Sequence, residues 1–196
     1  MASKCQSCGA FHQAEELKSG EVCPTCDGPY FIKNYKAVSA MPLPRVNKCI
    51  SVIQAQIAEN PNNTQLNLAM GLCFFKLKQL EKALNFFDKA MIDNFSDPEP
   101  YFFASICLLK GKKAFVSVRE EIEKIETNLE SANSLEPKPI YYYFQAYIKN
   151  DYYERKYLNT KVSSKELLET ARQSGLTEED VAEFYELTGV EKPEGM

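Results

Sequence analysis

The chain has 196 residues, of which 44% are hydrophobic, and this is the length and composition of one or two soluble globular domains. Lys and Arg number 23 against 27 Asp and Glu, so the net charge of −4 argues against a large basic field for nucleic acid or anionic lipid. The apolar stretches are too short to cross a bilayer, and the N-terminus has no secretory apolar run, so we expect a cytoplasmic protein without a membrane segment.

Four of the seven cysteines form two C-x2-C pairs near the N-terminus: Cys5, Cys8, Cys23 and Cys26. Two intervening residues let both sulfurs of a tight turn face one ion, and the fourteen residues between the pairs suffice for a hairpin. Four thiolates complete a tetrahedral shell without an open position for substrate, so the pattern predicts one structural zinc ion, Zn2+. The alternatives are a dithiol redox pair and a rubredoxin-type iron site; the lack of a βαβ pattern and the short gap favour zinc.

The turns Cys5-Gln-Ser-Cys8-Gly9 and Cys23-Pro24-Thr25-Cys26-Asp27-Gly28 resemble the rubredoxin-like knuckles of the zinc-ribbon family, although Asp27 precedes the expected glycine. The resemblance implies a small N-terminal β zinc ribbon over residues 1–37, followed by a linker over 38–45. So short a segment buries too little apolar surface to fold alone, and we expect the metal to supply most of its stability. His12, the only histidine, is interpreted as an ordinary strand or turn residue.

Beyond the linker, apolar residues recur at intervals of three and four, which predicts amphipathic helices. The first predicted helix has an apolar stripe, or seam, along one face that starts at Val46. This helix ends at Asn60-Pro61 because proline cannot continue a helix. The next two helices, over about 64–78 and 80–93, are separated by a short polar connection. This spacing predicts an antiparallel hairpin.

The same design recurs twice along the chain. A second hairpin starts at Tyr101, and the seam of its second helix includes Phe115 and Val118. A third hairpin starts at Ile140 and is predicted to turn at Asn150-Asp151. The period of about 34–40 residues is typical of a helical repeat array.

The best-formed unit resembles the tetratricopeptide repeat (TPR) family. The residues that carry this resemblance are Asn60-Pro61-Asn62-Asn63, Gly71, Phe74, Ala83, Phe87 and Ala90. The resemblance covers residues 46–160 and places small residues where two helices approach closely. It implies a mainly α fold, a TPR-like α-solenoid of antiparallel helix hairpins, which carries the β zinc ribbon at its N-terminus.

Two short helices are predicted over residues 161–190. Ser163 or Ser164 can cap the first, and Thr177-Glu178-Glu179-Asp180 approximates a capping box for the second. A final helix pair with a charged outer face suits the cap of a solenoid. Residues 191–196 are expected to form a disordered tail.

In TPR proteins the first helices of the hairpins line a concave groove that holds a peptide or helix of a partner. The family pattern places seven residues of this chain on such a groove: Leu68, Leu72, Phe75, Lys76, Tyr101, Ser105 and Leu108. Because most of them are apolar, the resemblance implies an apolar or amphipathic peptide as ligand. The alternative interpretation is that these side chains belong to the core.

Two further groups of residues have structural and functional interpretations. Eight aromatic residues lie close together in the sequence and suit either packing or an interface: Tyr141, Tyr142, Tyr143, Phe144, Tyr147, Tyr152, Tyr153 and Tyr157. The three remaining cysteines, Cys49, Cys73 and Cys107, lie on apolar stripes and are expected to be inert buried thiols.

These features favour a non-enzymatic adaptor or scaffold for a protein or peptide partner. The alternative is a nucleic-acid-associated factor of the transcription or translation machinery, where zinc ribbons are common. Charge argues against it, because residues 1–40 carry four basic and four acidic side chains. An enzyme is disfavoured because the sequence has no phosphate-binding glycine loop, nucleophile elbow or H-E-x-x-H motif.

Overall fold

The computed structural model describes residues 2–13, 22–92 and 96–193, and it is mainly helical, as predicted. Contacts divide the chain into two units, Met1–Asn94 and Phe95–Met196. We refer to them as unit 1 and unit 2 and describe each by itself. Within the described residues, no helix is long and apolar enough to span a bilayer.

Unit 1 begins with two short antiparallel strands, β1 (Ala2–Lys4) and β2 (Phe11–Gln13), with Ser3 opposite His12. An isolated bridge joins Val22 to Pro29. The predicted hairpin between the cysteine pairs falls largely on residues 14–21, which lie outside the described residues. The extent of the predicted ribbon therefore stays a prediction.

The described residues of unit 1 also contain four helices: α1 (Lys36–Ser39), α2 (Leu43–Glu59), α3 (Thr64–Lys76) and α4 (Leu80–Ala90). The segment predicted as a linker thus contains the end of α1 and the start of α2. The side chain of Asn63 caps α3 by accepting a hydrogen bond from the backbone N–H of Leu66 at 3.0 Å. The sequence predicted that α4 would extend to Asp93, which lies outside the described residues.

Gly71 permits close packing of α3 against α4. A Cβ atom at this position would lie 2.6 Å from the ring of Phe87, which is fully buried. The aromatic ring therefore occupies the space that any larger residue at position 71 would need. Helix α3 is buried on nearly all sides, as its apolar sequence requires.

Unit 2 contains five α-helices in its described residues: α5 (Glu99–Leu109), α6 (Arg119–Leu135), α7 (Pro139–Ile148), α8 (Ser164–Gln173) and α9 (Glu178–Thr188). A 3-10 turn, Ala114–Val116, precedes α6, and a π-helix, Lys149–Glu154, directly continues α7. Helix α7 packs against α6, α8 and α9, and α5 packs against α6 and α9.

Two predicted features of unit 2 are wrong. The seam that starts at Phe115 does not form one helix, because Ser117 and Val118 are extended and α6 begins only at Arg119. The turn predicted at Asn150-Asp151 is absent, since these residues belong to the π-helix and Asp151 is fully buried. Its carboxylate accepts a hydrogen bond from the backbone N–H of Phe115, which no local sequence pattern indicates.

The capping box predicted at Thr177 is confirmed, and Ser163, one of the two predicted caps of α8, also forms a capping box. The hydroxyl of Ser163 accepts from the backbone of Glu166, and that of Thr177 accepts from the backbone of Asp180. Helix α9 then ends at Gly189 with a left-handed φ of +68°. In the predicted tail, the carboxylate of Glu191 lies 2.8 Å from Lys113, and residues 194–196 lie outside the described residues.

Most of the aromatic cluster packs in the core of unit 2. The buried ring of Phe184 lies 5.4, 5.0 and 5.4 Å from the rings of Tyr143, Phe144 and Tyr147. Tyr157 is the contrast, because 95% of it is exposed. Most members of the cluster thus have the packing role, and an interface role stays a prediction.

Candidate metal centre

The two cysteine turns have the same backbone structure. In the first, the N–H of Gly9 donates to the carbonyl of Cys5, and in the second the N–H of Asp27 donates to that of Cys23, both at 2.9 Å. The residue after each second cysteine is left-handed, with φ of +85° at Gly9 and +52° at Asp27. Asp27 therefore occupies the position in the second turn that Gly9 has in the first. Aspartate tolerates this left-handed backbone conformation better than most residues do.

The turns bring four sulfur atoms together. The Sγ atoms of Cys5, Cys8, Cys23 and Cys26 all lie within 4.8 Å of one another, and those of Cys8 and Cys23 are 3.7 Å apart. A tetrahedral zinc site with Zn–S bonds of about 2.3 Å has S···S edges of about 3.8 Å. The donor set and its spacing therefore fit a four-coordinate metal ion.

The surroundings of the sulfurs supply hydrogen-bond donors. The backbone N–H of Ser7 donates to Sγ of Cys5 at 3.3 Å. The Nε2 atom of His12 lies 3.5 Å from Sγ of Cys23 and 3.1 Å from the hydroxyl of Thr25. His12 is in strand β2, as the sequence suggested, but the pattern gave no indication that its ring reaches a cysteine. Groups of this kind orient metal ligands and tune their basicity.

The thiol pKa values differ sharply within the cluster. Burial raises the pKa of Cys5 to about 12 and also raises that of Cys8. Burial also acts to raise the pKa of Cys23, but backbone N–H groups of Thr25 and Cys26 and the nearby thiols outweigh it and lower this pKa to about 6. Without a metal, a thiolate at Cys23 therefore lies beside the protonated thiols of Cys5 and Cys8. Binding of a divalent cation must release protons, which is the usual behaviour of thiolate sites.

Helix α2 supports both turns. A guanidinium nitrogen of Arg45 donates to the backbone carbonyl of Cys26, and the thiol of Cys49 lies 3.9 Å from the carbonyl of Ser7. A Cβ atom on Gly28 would lie 2.6 Å from the same guanidinium, so a larger residue at position 28 would require the end of the Arg45 side chain to move. The cysteine turns are thus packed against the helices of unit 1.

A buried glutamine links the first turn to the chain after the second. The backbone N–H of Gln6 donates to the carbonyl of Tyr30, and its side-chain Oε1 accepts from the N–H of Ile32 at 2.6 Å. Tyr30 and Ile32 are themselves buried. This link holds the two turns at a fixed separation.

The residues predicted to line a peptide groove are mostly buried. Leu68, Leu72, Phe75 and Ser105 have no exposed surface, and 7% of Leu108 is exposed. Tyr101 is partly buried, and the ammonium of Lys76 donates to the backbone carbonyl of Ser39. The five buried side chains therefore have core surroundings, which was the alternative interpretation, and the groove itself stays a prediction.

The other three cysteines are separate from the four-sulfur cluster and are buried, as predicted. Burial raises the pKa of both Cys49 and Cys73. A raised pKa keeps a thiol protonated and unreactive at neutral pH.

Comparison with protein-family models, with curated proteins and with solved structures finds no significant match to this chain.

Proposed function

We propose that Cys5, Cys8, Cys23 and Cys26 bind one structural Zn2+ ion in a zinc-ribbon-like module. The convergence of four sulfurs within 4.8 Å carries this proposal. Four thiolates saturate a tetrahedral zinc ion, so no coordination position is left for a substrate or a catalytic water. The role of the metal is to stabilise the fold of unit 1.

We further propose that the chain is a cytoplasmic, non-enzymatic adaptor that binds a protein or peptide partner. The closed metal shell supports this proposal, as does the resemblance of the α3–α4 pair to a TPR hairpin, with Gly71 packed on Phe87. In this proposal α3–α4 and α5–α6 are repeats of a TPR-like solenoid, and α8–α9 form its capping pair. Repeat folds of this kind act mainly as binding surfaces.

Elemental analysis of freshly purified, reduced protein tests the metal site. We expect one zinc ion per chain in the wild type and a clear loss of zinc in Cys8→Ser, because three thiolates bind zinc more weakly than four. Cys107→Ser is the matched control, since this buried cysteine lies in unit 2, and it should retain one zinc. Unchanged zinc in Cys8→Ser would contradict the four-thiolate site. One iron ion per chain, together with absorbance in the visible range, would show that the site binds iron and not zinc.

Affinity purification tests the adaptor role. The tagged chain should retain at least one protein in near-equal amount after nuclease treatment, and that protein should rebind the purified chain. Recovery of nucleic acid alone would favour the transcription or translation alternative. Substitutions at Leu72 or Phe75 are unsuitable probes, because both side chains are fully buried and their replacement would disturb the fold.

A further inference from the structure

The exposed apolar side chains of unit 2 are concentrated in two short segments. Among the described residues of this unit, the large apolar side chains that are exposed all lie within 115–118 and 157–162: Phe115, Val116, Val118, Tyr157, Leu158 and Val162. Scattered exposed apolar residues are ordinary in proteins, but a contiguous group of them is typical of an interaction site.

The two segments are neighbours in space. The ring centroid of Phe115 lies 4.4 Å from Cζ of Arg155 and 5.2 Å from Nζ of Lys156. The backbone N–H of Phe115 donates to the buried carboxylate of Asp151 at 2.9 Å, and Arg155 pairs with the same carboxylate. We call the surface formed by Phe115, Val116, Val118, Arg155, Lys156 and Tyr157 the basic apolar patch.

This surface is basic although the chain as a whole is acidic. Residues 110–119 and 155–157 together contain six Lys or Arg and no Asp or Glu. Four of these cations have carboxylate partners, namely Glu121, Glu191, Glu123 and Asp151. In the part of the chain that the structure describes, Lys112 and Lys156 make no ion pair, so they remain available to an acidic ligand.

Two residues of the patch are poor choices for folding. Val118 is the N-cap of α6 and makes no capping hydrogen bond, whereas serine or aspartate would. Tyr157 has a φ of +55°, which favours glycine or asparagine, and 95% of it is exposed. Where a residue contradicts local preferences without a packing gain, a functional contact is the usual reason.

We infer that the basic apolar patch binds an acidic segment of a partner protein that carries apolar side chains. The inference rests on the proposed adaptor function and names the chemistry of the partner. The lysines would face carboxylates, while Val116, Val118 and Tyr157 would be covered by apolar groups. A continuous anionic surface such as a membrane fits less well, because it cannot avoid Glu121, Glu123 and Glu191 beside the same cations, whereas a short peptide can place its carboxylates at the lysines alone.

A random twelve-residue peptide library displayed on phage is the probe. The intact chain should enrich peptides that combine Asp or Glu with Leu, Ile, Phe or Trp. The strongest peptide, synthesised with a fluorescent label, should bind at least about ten-fold more weakly to the double variant Val116→Ser, Val118→Ser. Serine at position 118 is a good N-cap, so this variant should fold at least as stably as the wild type, as a thermal melt will show.

Charge and position are tested separately. The double variant Lys112→Glu, Lys156→Glu should also weaken binding, and the wild-type affinity should fall as salt is added. The control Leu43→Ser, Ile92→Ser removes side chains of similar exposure, 55% and 61%, from unit 1 and should bind as the wild type does.

Three results would overturn the inference. The first is that the enriched peptides are not acidic, or that no peptide is enriched over an unrelated protein. The second is equal binding by the patch variants, in which case the peptide uses another surface and the adaptor proposal stands. The third is that polyuridylic acid or phosphatidylserine vesicles, rather than peptides, bind the wild type and not the patch variants. The adaptor proposal itself is decided by the affinity purification above.

Discussion

At the scale of single residues, Glu99 has the clearest consequence for stability. It lies in the first turn of α5, and burial raises the pKa of its carboxyl group to about 7. The ammonium of Lys138, 3.9 Å from this carboxylate, acts to lower the pKa but only partly offsets the effect of burial. Nearby, the hydroxyl of Tyr141 is buried without a hydrogen-bond partner in the described structure. The folded state therefore favours the protonated form of Glu99.

The sign of the pH dependence follows from this raised pKa. The stability that protonated Glu99 contributes to the folded state is fully present below its unfolded pKa of about 4.5 and is lost as the pH rises through its folded pKa of about 7. Glu99→Gln should therefore be more stable than the wild type by up to about 2 kcal/mol at pH 8, with the difference vanishing near pH 4.5. Denaturant unfolding across this range measures it.

Glu178→Gln is the matched control for Glu99→Gln, because Glu178 is an exposed acidic residue in the first turn of α9. Its replacement should change stability little, and by an amount that varies less between pH 5 and 8. If Glu99→Gln were destabilising at pH 8, the ion pair with Lys138 would outweigh burial and our account of this residue would be wrong.

At the same scale, the four clustered cysteines were predictable and the groups that support them were not. Cys5, Cys8, Cys23 and Cys26 could be named because two residues between cysteines encode a tight turn locally. The contacts of His12 with Cys23 and of Arg45 with the carbonyl of Cys26 connect distant parts of the chain. Such contacts leave no periodic or spacing signal in one sequence.

At the scale of helices, the pair α3–α4 depends on the lack of a side chain at Gly71. We expect Gly71→Ala to destabilise unit 1 by about 1–3 kcal/mol, because the new Cβ would overlap the ring of Phe87. This is opposite to the usual gain of about 1 kcal/mol for replacing a helical glycine by alanine. Chemical denaturation of the zinc-loaded protein measures the change.

A second substitution distinguishes steric overlap from other causes. Phe87→Leu in the Gly71→Ala background should recover part of the lost stability, although Phe87→Leu alone should be destabilising. Asn47→Ala, at an exposed position of α2, is a control that should be nearly neutral. Additive effects of the two substitutions would contradict direct contact between these positions.

The helices also show where apolar periodicity misleads. Phe115 and Val118 continue the spacing of Ile122 and Ile125, so the sequence predicted one long buried seam. In the structure Ile122 and Ile125 are fully buried, whereas the two earlier residues precede the helix and are exposed. The spacing shows only that the residues are apolar. An apolar residue on the surface and one in the core give the same pattern in the sequence.

At the scale of the whole molecule, the two units should respond differently to loss of metal. The cysteine turns are packed on α2 through Arg45, Cys49 and Gly28, so chelation should lower the stability of all of unit 1. Hydrogen exchange with and without chelator should show loss of protection in α1–α4 and none in α6–α8. Equal loss in both units would mean that they fold as one.

Because metal binding releases protons from the thiols, the affinity for metal should depend on pH. Because burial raises the pKa of Cys5 to about 12, its thiol is protonated at neutral pH and must lose a proton when metal binds. Zinc affinity should therefore fall steadily as the pH is lowered from 8 to 6, by more than the change for one proton. Competition with a chromophoric chelator measures it, and an affinity independent of pH would contradict thiolate ligation.

Helix α2, which supports the cysteine turns, follows all four cysteines in the chain. During synthesis the metal ligands therefore leave the ribosome before the segment that later holds them. A zinc ion captured at that stage would keep the turns closed until Arg45 and Cys49 arrive, while a growing chain that lacked zinc would present α2 with no ordered surface to pack on. With the proposed zinc site, the supply of the metal in the cell would act on this protein during translation, before its folded form exists.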